Sequence, residues 1–127
     1  MRYGSLMVLG ATLVIGTGSV LAHEEHGVTP GGEQVLTGEV VDVFCYLSHG
    51  KEALGKGHAD CAKKCIKSGL PVAIKVGDQL YLAALDSHDP ANNSLADFAG
   101  QQVTVHGKVL EADGQHLISI TKVEKAR

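Results

Sequence analysis

Five runs of apolar and β-branched residues along the chain predict five strands. The last two runs alternate apolar and polar positions most clearly, and each neighbouring pair in the second half is joined by a glycine-containing turn, at Gly77 and at Gly114. We therefore expect a strand, a long insertion, a hairpin, a connecting segment and a second hairpin. The predicted strands cover residues 36–44, 72–76, 79–85, 102–110 and 116–123.

The segments between these strands predict two short helices. After a glycine-rich loop over 46–57, the sequence HADCAKKCIKSGLP has a helical pattern that Gly69 and Pro71 close. A second short helix is predicted in SLADFAG, where Asn93 or Ser94 can cap the start and Gly100 can end it.

This order of elements resembles the OB-fold over residues 36–124. The segment FAGQQVTVHGKVLEADGQHLISITKVEK looks like the closing helix and hairpin of small exported bacterial OB-type domains. The resemblance implies a mainly β protein: a five-stranded OB-like barrel with a Cys/His-bearing loop-helix insertion between strands 1 and 2 and a short helix between strands 3 and 4. In OB-folds the loop between strands 1 and 2 helps to form the ligand-binding side.

The amino-terminal segment is typical of an export signal. Arg2 precedes an apolar run that ends in Val20-Leu21-Ala22, so residues 1–22 are predicted to be a signal peptide, 23–34 a flexible tail rich in His, Glu and Gly, and 35–125 the domain. We therefore expect a periplasmic or secreted protein. An uncleaved membrane anchor is the alternative, and we expect no other contact with a membrane.

The net charge of −3, without a basic stripe, argues against binding to nucleic acid, because phosphate binding depends on clustered lysine and arginine. No acidic pair has a spacing typical of acid-base catalysis, and Asp42, Glu52 and Asp60 are explained by a solvated face. The sequence thus favours a binding role over an enzymatic one, with a protein partner left open.

The strongest functional signal is the clustering of all three cysteines, Cys45, Cys61 and Cys65, with His58 beside them and His49 a little upstream. An odd number of cysteines in an exported chain cannot be closed by internal disulfides alone, whereas three thiolates and one imidazole supply four ligands for a soft metal. We predict Cys45, His58, Cys61 and Cys65 as ligands, with His49 as a fifth or a substitute. The expected function is that of an exported metal-binding protein: a metal carrier, a sensor or a redox-centre domain.

Helical geometry constrains this prediction. His58 and Cys65 would lie about 10.5 Å apart along one straight helix, too far to share an ion, so the helix should begin after His58. Cys61 and Cys65 then project from successive turns, and Cys45 approaches from the end of the first strand.

Copper and zinc both suit a site of three cysteines and one histidine, and iron suits it less well. The Cys-x-x-x-Cys spacing with a nearby histidine is similar to that of the Sco and CuA copper sites. Only this spacing is shared, because Cys65 is followed by IKSGLP, without the further residues of either motif. The resemblance therefore implies a type of ligand and no activity.

Two alternatives remain open. In the first, the insertion is a structural module that zinc or a Cys61–Cys65 disulfide stabilises. In the second, the cysteines form a thiol-disulfide centre whose thiolate is favoured by Lys63 and Lys64. Beside the cluster, Phe44 and Tyr46 are predicted to pack so that water is excluded. In the tail, His23 and His26 form a candidate accessory metal site.

Overall fold

The computed structural model of the protein describes residues 29–127, with side chains from Gly32 onward. It contains five strands, three α-helices and two 3₁₀ turns. The strands are β1 (Thr29–Asp42), β2 (Val72–Val76), β3 (Gln79–Leu85), β4 (Gln102–Ala112) and β5 (Gln115–Lys125); the helices are α1 (Val43–His49), α2 (Ala59–Lys67) and α3 (Asn92–Leu95); the 3₁₀ turns are Gly50–Ala53 and Ala96–Phe98.

The strands form a closed barrel in the order β1-β2-β3-β5-β4, and β4 pairs with β1 to complete it. Four of the pairings are antiparallel, and the β3–β5 pairing is parallel. The insertion with α1 and α2 connects β1 to β2, and α3 lies between β3 and β4. The prediction of a mainly β, five-stranded barrel with these two helical connections is confirmed.

Alternating strand residues and one face of α2 fill the barrel and close it. Ala62 and Ile66 of α2 are almost wholly buried and belong to the same apolar cluster as the strand residues Val40, Ile74 and Ile118. Burying a side chain such as Ile66 is worth about 1.5–3 kcal/mol. The helix that carries two of the three cysteines is therefore held against the barrel by its apolar face.

The first strand begins earlier than the sequence indicates. Residues 29–34, which we assigned to the flexible tail, pair with β4, from Thr29 opposite Glu111 to Gln34 opposite Gly107, with a register shift between Pro30 and Glu33. The local sequence TPGGE is a poor strand former. The pairing exists because β4 continues to Ala112 and offers a partner, which local propensity cannot reveal.

The strand also ends earlier than predicted. We expected it to reach Phe44 and to be followed by a loop, whereas α1 begins at Val43. The Asp42 carboxylate oxygen Oδ1 accepts hydrogen bonds from the backbone amides of Phe44 at 2.9 Å and Cys45 at 3.4 Å. This is an N-cap, and it turns the chain from strand to helix at that point.

Within residues 29–127, no helix combines the length and the apolar character needed to cross a bilayer. The predicted signal peptide and the two tail histidines, His23 and His26, lie outside the described residues.

Candidate metal centre

Two short helices of the insertion bring the cysteines together. Cys45 is the third residue of α1, directly after β1, and Cys61 and Cys65 lie one turn apart on α2. Helix α2 begins at Ala59 with His58 at its N-cap position, so the predicted late start of this helix is confirmed. The start of α1 is tied to the end of the insertion, because the Val43 amide donates to the Pro71 carbonyl at 3.0 Å.

The thiols of Cys45, Cys61 and Cys65 form a compact group. Their three Sγ atoms all lie within 4.8 Å of one another, and all three cysteines are free. Three sulfurs bound to one ion at about 2.3 Å in tetrahedral geometry stand about 3.8 Å apart, so shifts of about 1 Å or less would bring them all onto it. The arrangement can therefore supply three ligands to one metal ion.

The three thiols differ in their access to solvent. Cys45 is 7% exposed, Cys65 is partly buried and Cys61 is exposed. The group thus runs from a closed inner side at Cys45 to an open outer side at Cys61.

Asp42 is the residue that the sequence analysis missed. We assigned it to a solvated face, but it is 1% exposed, and its second oxygen, Oδ2, is buried without a hydrogen-bond partner. The sequence spacing does not predict that Asp42 lies near the thiols, because a strand that continued to Phe44 would place positions 42 and 45 on opposite faces. Reading Asp42 as a helix cap would have revealed the turn.

The Asp42 carboxylate controls the titration of two thiols. Hydrogen bonding to Asp42 raises the pKa of Cys45 from its usual 9.0 to about 12, with burial as the next cause. The same two causes, in the same order, raise the pKa of Cys65. The contact is looser than a well-aligned hydrogen bond, because Oδ2 has no partner with hydrogen-bonding geometry. Without metal, both groups are held as neutral thiols near pH 7.

Two of the three lysines on α2 are paired with Asp97. Lys63 Nζ lies 2.7 Å from Asp97 Oδ1, and Lys67 Nζ lies 3.6 Å from the same oxygen. The ion pair lowers the pKa of Asp97 and raises that of Lys63. Lys63 was expected to favour a thiolate, but its charge is directed to Asp97.

The two predicted histidine ligands are not part of the thiol group. His58 lies at the start of α2, and its ring nitrogen Nε2 is buried without a hydrogen-bond partner. His49 is exposed at the end of α1. Of the predicted set of four, the structure groups the three cysteines.

The aromatic residues beside Cys45 face different surroundings. Phe44 is 61% exposed and therefore does little to exclude water from the thiols. Tyr46 is partly buried, and Lys75 Nζ lies over its ring at 5.5 Å from the centroid, which fits a cation–π contact.

Two further contacts fix the insertion on the barrel. Asn92 of α3 donates from its side-chain nitrogen to the carbonyls of Ile66 and Leu70, both at 2.8 Å, at the end of α2. The Gly55 amide donates to Glu39 of β1. The thiol group is thereby held between anchored segments.

Comparisons of the chain with models of known protein families, with curated proteins and with solved structures found no match. The fold and the site themselves define the class of protein: a closed five-stranded barrel with a three-cysteine group that could bind a metal ion.

Proposed function

We propose that the protein is an exported metal carrier that binds one soft metal ion, copper or zinc, through Cys45, Cys61 and Cys65. The observation that carries this proposal is the convergence of three free thiols within 4.8 Å from two separate helices. Thiolates are the protein ligands that soft ions prefer. His58 and His49 are proposed additional ligands from the sequence, and His58 is the stronger of the two because its buried Nε2 has no partner.

Two features favour a carrier over a structural staple. The apolar cluster that fills the barrel does not include the cysteines, so the fold has a core of its own. Cys61 is exposed, which gives the thiolate of an acceptor protein a route to the bound ion. A structural site, in contrast, is typically closed and contributes to folding directly.

The pKa values disfavour the thiol-disulfide alternative. Exchange centres use a thiol whose pKa is lowered, so that a thiolate attacks at neutral pH. In this group the pKa of Cys45 and that of Cys65 are both raised. A metal ion can still displace the protons, because thiolate–metal bonds form at the expense of the thiol.

The proposal is tested by elemental analysis and a thiol count on the protein purified anaerobically without added metal. We expect about one copper or zinc per chain, loss of that metal in Cys45→Ser, and retention in Lys64→Ala, an exposed neighbour on the same helix. Absence of metal, together with failure of the reduced protein to bind either copper(I) or zinc, would refute it.

A second measurement separates the carrier from the staple. After removal of the metal by a chelator, the carrier should keep its far-UV circular dichroism, and the Cys61→Ser variant should transfer its ion to an acceptor thiol more slowly than the wild type. Unfolding on chelation would instead identify a structural site. Export is tested separately, by sequencing the amino terminus of the protein from a bacterial periplasm.

A further inference from the structure

Asp42 is buried beside the thiols with one oxygen unused. It is 1% exposed, Oδ1 accepts from the amides of Phe44 and Cys45, and Oδ2 has no hydrogen-bond partner. Buried carboxylates are normally paired or bound to a cation, because removing the charge from water is unfavourable. The second oxygen therefore requires an explanation.

The capping role alone does not supply one. An N-cap needs a single acceptor oxygen, and serine or asparagine provides it without a charge. A buried carboxylate with one unpaired oxygen is unfavourable in the metal-free group and becomes favourable when a cation binds among the same atoms.

From this arrangement we propose that Asp42 Oδ2 is the fourth ligand of the site, which makes it a centre for a divalent ion of the zinc type. The inference rests on the proposed metal-binding function and adds the donor set and the class of ion. Cys45 and Asp42 are buried, Cys65 is partly buried, and the exposed Cys61 supplies the ligand on the open, solvent side.

The chemistry of the donors decides the class of ion. Zinc accepts thiolate sulfur and carboxylate oxygen in one tetrahedral site, whereas copper(I) is selected by soft donors alone. Three thiolates and a carboxylate also carry four negative charges, which a divalent ion compensates better than a monovalent one. A carboxylate donor therefore strengthens zinc binding and adds little to copper(I) binding.

The arrangement also separates the two candidates for the fourth ligand. The Asp42 carboxylate is 1% exposed, and the hydrogen bond from the Cys45 amide to Oδ1 holds it beside that residue. His58 lies at the N-cap position of α2 and is not among the grouped ligand atoms. Neither residue lies within 4.8 Å of all three sulfurs, so each would need a shift to join them. Asp42 is the more deeply buried of the two, since His58 is only partly buried, and it is hydrogen-bonded to the backbone of Cys45.

The test compares the wild type with Asp42→Asn, Asp42→Ser and His58→Gln in the full reduced protein. Zinc and copper(I) affinities are measured by competition with a chromophoric chelator for each ion, and cobalt(II) reports coordination through its visible spectrum. Asparagine and serine both retain an N-cap acceptor, so α1 is preserved in both variants. His58→Gln tests the imidazole.

We expect both Asp42 variants to bind zinc at least about tenfold more weakly and copper(I) within about threefold of the wild type, with an altered cobalt spectrum. Unchanged zinc affinity in both Asp42 variants would overturn the inference. So would equal losses for both metals, because Asp42 would then only arrange the thiols. A loss in His58→Gln alone would assign the fourth position to the imidazole. Failure of the wild type to bind either ion would refute the proposed function itself.

Discussion

The side chain of Asp42 is coupled to Cys45 in two ways. Its Oδ1 accepts a hydrogen bond from the Cys45 amide at 3.4 Å, and the same carboxylate raises the pKa of the Cys45 thiol to about 12. The residue that caps helix α1 is thus also the main cause of the raised pKa of the most buried thiol. Changes at Asp42 should therefore affect both the stability of the metal-free protein and its chemistry.

For stability, Asp42→Asn should leave the metal-free protein at least as stable as the wild type. Asparagine keeps the cap and removes a buried charge that has one oxygen unpaired. Asp42→Ala removes the cap as well, so its free energy of unfolding should be about 1 kcal/mol lower than that of Asp42→Asn. Urea unfolding of both variants and the wild type, without metal, measures these differences. A large loss of stability in Asp42→Asn would show that the carboxylate stabilises the metal-free fold.

Metal affinity should rise steeply with pH. The pKa values of Cys45 and Cys65 are raised, so both carry a proton near neutral pH and must lose it when the ion binds. Each displaced proton raises the apparent association constant about tenfold per pH unit, so Cys45 and Cys65 together contribute about 100-fold per pH unit between pH 6 and 8. Competition with a chelator of known protonation constants measures the slope. A slope near zero would mean that these thiols do not bind the ion.

In the metal-free protein, the same pKa shift predicts a loss of stability at high pH. The Cys45 thiol has a folded-state pKa of about 12, compared with its usual 9.0, so the protein binds this proton more tightly when folded. Its contribution is fully present below pH 9 and is lost as the pH rises toward 12. Denaturant midpoints for the wild type should fall over this range more than those of Cys45→Ser. Parallel curves for the two proteins would contradict this assignment.

The sequence predicts the barrel well because strands and turns are encoded locally. Predicted strands over 72–76 and 79–85 match β2 and β3, and the glycine-containing turns lie where each hairpin reverses. The extension of β1 to Thr29 was missed because it depends on pairing with β4, a partner far away in sequence.

The same kind of sequence reasoning predicts the site only in part. Clustering in sequence indicated that Cys45, Cys61 and Cys65 converge, and the structure groups them. The role of Asp42 was not predicted because an acidic residue after a run of valines is equally compatible with an exposed strand position and with a helix cap. Its burial depends on how the insertion packs after the chain turns from β1 into α1, which is a tertiary effect.

Thiol reactivity should follow exposure. Cys61 is exposed, whereas Cys45 is 7% exposed and has a raised pKa, so a neutral disulfide reagent should modify Cys61 first and Cys45 last. Mass spectrometry of partly labelled, metal-free protein after protease digestion gives the order. The full protein should titrate with three thiols under reducing conditions. Rapid labelling of Cys45 would mean that α1 opens readily in solution.

Asn92 provides a test of how the site is held. Its side chain donates hydrogen bonds to the carbonyls of Ile66 and Leu70. The substitution Asn92→Ala removes both hydrogen bonds. We expect a loss of about 2 kcal/mol in the free energy of unfolding, with weaker metal binding because α2 carries two of the three thiols. The neighbouring Asn93 is exposed, so Asn93→Ala is the matched control and should change neither property. If Asn92→Ala lowers stability but leaves metal affinity equal to that of the control, the thiols are positioned by the apolar face of α2 alone, through Ala62 and Ile66.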